Sequence, residues 1–304
     1  MPSVRRSPRV GLALLGLLLL AALTLLSGCG GSGSSSSESS ADTGAETSGE
    51  KGAAEVATTP GEVEFVWEEP ESESDAIGRE ILEASETEEL ASSLAEAFEL
   101  PNPLLVRGVN GFGSGPFYNP EDNSITLPYE FATLIIEVVE KTYPEESEEE
   151  IGERIGAVNS FILAHEFAHA LIANFNLPVL GKEEDAADSI AAYVLLNAPE
   201  GATYAADAAF FWAAFSDRQS PPALVEYADS HSLDLQRAYA VLCWVAGSSE
   251  QSFEEVAELE LLPADRLEAC PGEYEQLVES LGQELRPHLS AEGEEAAEES
   301  EEEG

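Results

Sequence analysis

Phe161-Ile162-Leu163-Ala164-His165-Glu166-Phe167-Ala168-His169-Ala170-Leu171-Ile172-Ala173 is an apolar run broken by two histidines and one glutamate. It holds no turn residue and is too long for a strand, so it reads as the middle of a buried helix. On a helix, residues i and i+4 point the same way, so the imidazoles of His165 and His169 converge on one point. Three polar groups in an apolar setting are costly unless something satisfies them. A metal ion gripped by both rings is the usual partner. The plainer alternative is a pair of satisfied core histidines, and the apolar surroundings speak against it. The chain has four histidines (His165, His169, His231 and His288), and half of them sit here. Glu166 projects beside the ion, where it can take a proton from a water.

Working outward, Pro144 fits the first position of this helix, followed by an acidic first turn. The helix runs to about residue 174 and stops near Asn176, with Pro178 beyond. Gly152 and Gly156 weaken its first half. Upstream, residues 62–67 alternate polar and apolar side chains, as a strand does. Residues 75–100 carry apolar side chains at helical spacing, in one or two helices stopped by Pro101 and Pro103. Residues 104–109 read as a short strand. The glycine-rich turn 111–116 lacks the Lys-Ser/Thr ending of a phosphate loop. Residues 117–118 and 124–127 bracket a turn-rich pentapeptide and so form a β-hairpin, with 124–127 as an edge for an extended peptide. Residues 129–142 are helical. Further helices are expected at 183–197, 203–217, 221–231 and 234–246, short ones near Phe253 and Pro263, and a last one at 272–289. The fold class is α+β: a small N-terminal mixed layer, then a mainly helical remainder.

A metal centre that performs chemistry keeps three protein ligands and one open position. The third ligand must come from another element. The segment 181–193 follows through a short connection and can return antiparallel across the first helix. It offers Glu183, Glu184, Asp185 and Asp188.

Within it, Glu184-x-x-Ala187-Asp188-x-Ile190-Ala191-Ala192 resembles the glutamate helix of gluzincin-type peptidases, where a Glu followed four residues later by Asp or Asn supplies the third ligand. The resemblance implies Glu184 as ligand, 184 − 169 = 15 residues after His169. It implies Asp188 as the acceptor for the free ring N–H of a metal-bound histidine. Glu183 and Asp185 remain rivals for the ligand role, the other reading for each being a solvated helix N-terminus.

The stretch from His165 to Asp188 also resembles a family of bacterial metallopeptidase-like proteins catalogued as domain of unknown function 4344. The likeness continues through His231-Ser232-Leu233-Asp234-Leu235-Gln236-Arg237 and Cys270-Pro271-Gly272-Glu273-Tyr274, and covers most of the chain after about residue 75. It implies a zincin-like fold and a Zn2+ held by His165, His169 and Glu184. It further implies hydrolysis of a peptide or protein substrate, with Glu166 as general base. His231, the one histidine left in the helical half, is the candidate for stabilising an oxyanion. Its other reading is a surface or capping histidine between Ser230 and Ser232. His288 reads as a helix C-terminal residue. A competing function is a non-catalytic zinc-binding surface lipoprotein that binds a partner or senses metal. The intact Glu166 argues for the enzyme.

The two ends read differently. Arg5, Arg6 and Arg9 precede the apolar run 10–26, a signal-peptide pattern. Leu26-Ser27-Gly28-Cys29 resembles a lipobox, which implies cleavage after residue 28 and a lipid on Cys29. An uncleaved anchor helix is the alternative. Residues 29–60 are a Gly/Ser/Glu-rich disordered tether, residues 61–290 the folded domain, and residues 291–304 a disordered acidic tail. The expected location is extracytoplasmic, on the cell membrane through the lipid anchor. There an even pair, Cys243 and Cys270, is expected as a disulfide. Closing a loop of 270 − 243 = 27 positions stabilises the fold by roughly 3 kcal/mol. The formal charge of −47, with lysine only at 51, 141 and 182, excludes nucleic acid as a partner. It fits a saline habitat, cationic substrates or simple solubility equally well.

Overall fold

The computed structural model describes residues 61–198, 200–216, 226–291, 293–294 and 297. The signal segment, Cys29, the tether and most of the segment 291–304 lie outside the described residues; the four described residues of that expected disordered tail (291, 293, 294 and 297) are helical.

Four strands form one mixed sheet in the order β1-β2-β4-β3. β1 (Val63–Trp67) pairs parallel with β2 (Leu104–Val109), and β2 pairs parallel with β4 (Ser124–Pro128). β3 (Phe117–Asn119) runs antiparallel to β4 and forms the edge. The hairpin is as the turn residues dictate, but its second strand is not an edge. β4 is paired on both sides and all five of its residues are buried. Local turn chemistry sets only the β3–β4 pairing. The pairing of β4 with β2 is a long-range choice, driven by burial of Leu104, Val106, Ile125 and Leu127. Gly108 is required where β2 passes β1: a Cβ there would lie 2.1 Å from the Trp67 ring.

Helices α1 (Glu73–Ala84) and α2 (Thr87–Ala97) link β1 to β2, and α3 (Tyr129–Thr142) follows β4 directly. The central element is α4 (Glu148–Phe175). It starts later than Pro144, because Ser147 and Glu150 make a capping box. The Ser147 N–H donates to the Glu150 carboxylate at 2.8 Å, and the Glu150 N–H donates to Ser147 Oγ at 3.3 Å. Those reciprocal caps satisfy two orphan donors, which Pro144 cannot do. The helix stops at Asn176, whose left-handed backbone (φ 50°) turns the chain toward α5.

α4 is long and apolar enough to cross a membrane by length and composition, but 94% of that window is buried inside the fold. From Arg154 to Ile172 it is a core helix, buried on nearly every side. One face (Phe167, Leu171) packs under the sheet with Leu104 and Ile125, another (Phe161, Ala164) meets α5–α7, and a third (Val158, Ile162) meets α3.

Helices α5 (Glu183–Leu196), α6 (Gly201–Ser216), α7 (Asp234–Ser248), α8 (Glu250–Glu258) and α9 (Ala264–Leu285) complete the fold. The expected helix at 221–231 lies partly outside the described residues. Of its remainder, Glu226–Ala228 is a single 3-10 turn and residues 229–231 are bends. The expected break before residue 272 is absent: α9 carries Pro271 in its interior. The disulfide Cys243–Cys270, with Cα atoms 5.1 Å apart, ties this part of α9 to α7. Gly247 lets the two helices meet, since a Cβ there would lie 2.5 Å from the Cys270 carbonyl oxygen. Tertiary packing thus overrides the local cost of a proline within a helix. After α9 the chain remains seated: the Ser290 N–H donates to the Ala97 carbonyl at 2.8 Å, and Ser290 is buried.

Candidate metal centre

α4 delivers His165, Glu166 and His169, all buried. α5 starts eight residues after α4 ends and lays its first turns across them. His165 Nε2 and His169 Nε2 lie 3.3 Å apart. Glu184 Oε2 lies 3.1 Å from the first and 3.3 Å from the second. A tetrahedral ion with bonds of about 2.0–2.1 Å holds its ligand atoms about 3.3–3.4 Å from one another. The triangle has that size.

The outer nitrogens of the rings are also engaged. His165 Nδ1 meets Asp188 Oδ1 at 2.8 Å, and His169 Nδ1 meets Glu183 Oε1 at 2.9 Å. Each Nδ1–H donated to a carboxylate leaves a lone pair on Nε2, aimed into the triangle. Filling the triangle with protons instead would set two N–H groups against each other at 3.3 Å. A cation between neutral rings satisfies every contact, so the donor set fits zinc.

The three acidic residues at the start of α5 are now distinguishable. Glu184 faces both Nε2 atoms, Glu183 backs His169, and Asp185 accepts from the Ser232 hydroxyl at 3.0 Å. Asp188 is buried and gripped by Arg237, whose Nε and Nη2 donate at 2.7 and 2.8 Å. The Arg237 guanidinium also lies 4.1 Å from the Trp212 ring centroid. Arg237 belongs to the site by geometry, and the residue-by-residue reading did not single it out. The signal was there: one arginine amid the apolar positions of α7, in a chain with ten.

His231 comes to the centre as well. Its Nε2 lies 2.9 Å from Glu184 Oε2, and its Nδ1 lies 3.1 Å from Asp229 Oδ1. Lys182 Nζ donates to the His231 carbonyl at 2.8 Å, holding this loop against the start of α5. His288 is remote, stacked on Phe175 with centroids 4.1 Å apart.

Electrostatics follow from this crowding. With no cation among the donors, burial opposes charge on His165, but its hydrogen bonds to Asp188 and Glu184 prevail and raise its pKa to about 9. His169 is raised in the same way, burial being outweighed chiefly by Glu184. Burial resists ionisation of Glu184, but three imidazoles hold it far below the usual carboxylate range. Asp188 is likewise buried yet held ionised by Arg237 and His165. Burial raises Glu166. The Glu166 side chain makes no hydrogen bond among the described residues and lines a cleft of about 260 Å³. Phe131, Phe161, Ile162, Trp212 and Phe215 form the apolar wall of that cleft.

A sequence model of the family catalogued as domain of unknown function 4344, described as "Putative metallopeptidase", matches residues 67–285. The chain belongs to this family. No match was found among curated proteins or among solved structures. Membership in the domain 4344 family supports a peptidase in general terms, with a bound metal and a peptide or protein substrate. The matched span contains every residue of the centre, from His165 on α4 to Arg237 on α7.

Proposed function

We propose that this chain is a zinc-dependent peptidase of the extracytoplasmic face, with zinc held by His165, His169 and Glu184 and with Glu166 as general base. The observation that carries this reading is the triangle of two Nε2 atoms and one carboxylate oxygen, with edges of 3.1–3.3 Å, beside a buried glutamate that opens onto a cleft. The signal-like segment at residues 5–26, the lipobox at 26–29 and the Cys243–Cys270 disulfide support a location outside the membrane, on a lipid at Cys29.

Bound zinc supplies Lewis acidity, polarising a substrate carbonyl and acidifying a water. The protein's own residues do the rest. Asp188 and Glu183 hold the two rings in the tautomer that directs Nε2 inward. Arg237 keeps Asp188 ionised and immobile. Glu166 takes the proton of the attacking water and returns it to the leaving amine. The apolar wall of the cleft excludes bulk water from that transfer.

The test is a peptide-library cleavage assay with the wild type and Glu166→Gln, beside metal analysis of both. Glu166→Gln should keep stoichiometric zinc and lose about 10²–10⁴-fold in turnover. Equal cleavage by the two proteins refutes the general-base role. Zinc in both with cleavage by neither favours the non-catalytic reading.

A further inference from the structure

We infer that His231 is a fourth, displaceable zinc ligand that closes the centre at rest. This rests on the zinc reading above. The first observation is positional. His231 Nε2 sits 2.9 Å from Glu184 Oε2, the oxygen that also faces His165 and His169. Donor atoms of His165, Glu184 and His231 lie within 4.8 Å of one another, close enough to share one ion, and His169 joins this group through His165 Nε2 and Glu184 Oε2, each 3.3 Å from its Nε2.

The second observation is chemical and independent of the first. Each of the three imidazoles directs Nε2 at Glu184 and rests Nδ1 against a carboxylate: Asp188 for His165, Glu183 for His169, Asp229 for His231. That outer carboxylate is the habitual support of a metal-bound histidine, since it fixes the tautomer and strengthens the inner nitrogen as a donor. His231 lines the cleft, but its Nε2 is spent on the ligand oxygen Glu184 Oε2, whereas a histidine that only donates a proton to an oxyanion needs that nitrogen free.

The third observation concerns the carrier. α4 and α5 hold their ligands rigidly, but His231 sits on a bend, half exposed, between a 3-10 turn and α7. Besides the contact of His231 with Glu184, Lys182 to the His231 carbonyl and Ser232 to Asp185 tie this loop to α5 among the described residues. A ligand on such a segment can leave while the other three stay. His231 must leave before a water and a substrate carbonyl can approach, so the arriving peptide opens a shell that is otherwise shut. The loop then acts as a latch on a centre that already carries its base.

The experiment is X-ray absorption on the zinc-loaded full chain, which counts imidazoles around the ion, with zinc affinity measured by chelator competition. The wild type should show three imidazoles and His231→Ala two. His231→Ala should also bind zinc at least about tenfold more weakly, as the loss of even an outer partner does. Two imidazoles in the wild type, or an affinity in His231→Ala within about twofold of it, overturns the inference and leaves the peptidase reading standing. A wild type that binds no zinc overturns that reading itself. The imidazole count in the wild type needs no variant and so does not depend on how any variant folds.

Discussion

Arg237 grips Asp188 through two hydrogen bonds, at 2.7 and 2.8 Å, across 49 residues of sequence, and both side chains are buried. The same carboxylate positions His165 through Nδ1. A buried ion pair of this kind adds little net stability, but breaking it strands a charge. Arg237→Met should therefore cost about 3–5 kcal/mol in urea unfolding. Zinc affinity should fall by about 10–100-fold as His165 loses its fixed orientation. Arg237→Lys should rescue neither, because an ammonium cannot make the two-pronged contact. Full recovery by lysine would show that only the charge matters.

The crowded start of α5 makes a graded prediction. Glu184→Ala removes an oxygen that faces three imidazoles and should abolish stoichiometric zinc. Glu183→Ala removes the support of His169 Nδ1 from an exposed position, and about tenfold in affinity is expected. Asp185→Ala removes only the side-chain contact with the Ser232 hydroxyl, one tie on the His231 loop, and should lower affinity by no more than a few fold, less than either. Dialysis against graded chelator with metal analysis ranks the three. A reversed order for Glu183 and Glu184 would move the ligand by one residue.

That ranking shows where local sequence logic ends. His165, Glu166 and His169 are legible because an i, i+4 spacing within one helix fixes their geometry without the rest of the fold. The bounds of α3 are legible for the same reason: its periodicity runs unbroken between Pro128 and Tyr143. Glu183, Glu184 and Asp185 are consecutive, so they point in three directions, and only the crossing of α5 over α4 selects among them. Arg237 lies on a later helix and is tied to Asp188 by tertiary contact alone. Pro271 misleads for a related reason. Its local preference is to end a helix, yet a disulfide and a close helix crossing hold it inside one.

Reduction should expose the contribution of that disulfide. A loop of 27 residues corresponds to about 3–4 kcal/mol by the chain-entropy account. For a domain of this size that is a fall of roughly 10 °C in Tm. Both cysteines are buried between α7 and α9, remote in sequence from the zinc ligands. Scanning calorimetry with and without reductant, on zinc-loaded protein, should show lower stability with the metal still bound at 25 °C. Zinc release on reduction alone would show that the α7–α9 clamp also holds the centre.

Two glycines should respond to alanine with opposite signs. Gly108 sits in β2, where a Cβ would enter the Trp67 ring at 2.1 Å and the Tyr129 ring at 2.7 Å. Both rings are packed into the sheet, so Gly108→Ala should cost about 1–3 kcal/mol through overpacking. Gly152 lies in the second turn of α4, exposed, with nothing within 4 Å of an added Cβ and an ordinary helical backbone. There alanine narrows the unfolded ensemble and adds no clash, so Gly152→Ala should stabilise by about 0.4–1 kcal/mol. Paired urea titrations at equal m-values decide it. Loss of stability at Gly152 would mean that the first turns of α4 are not held as a regular helix in solution.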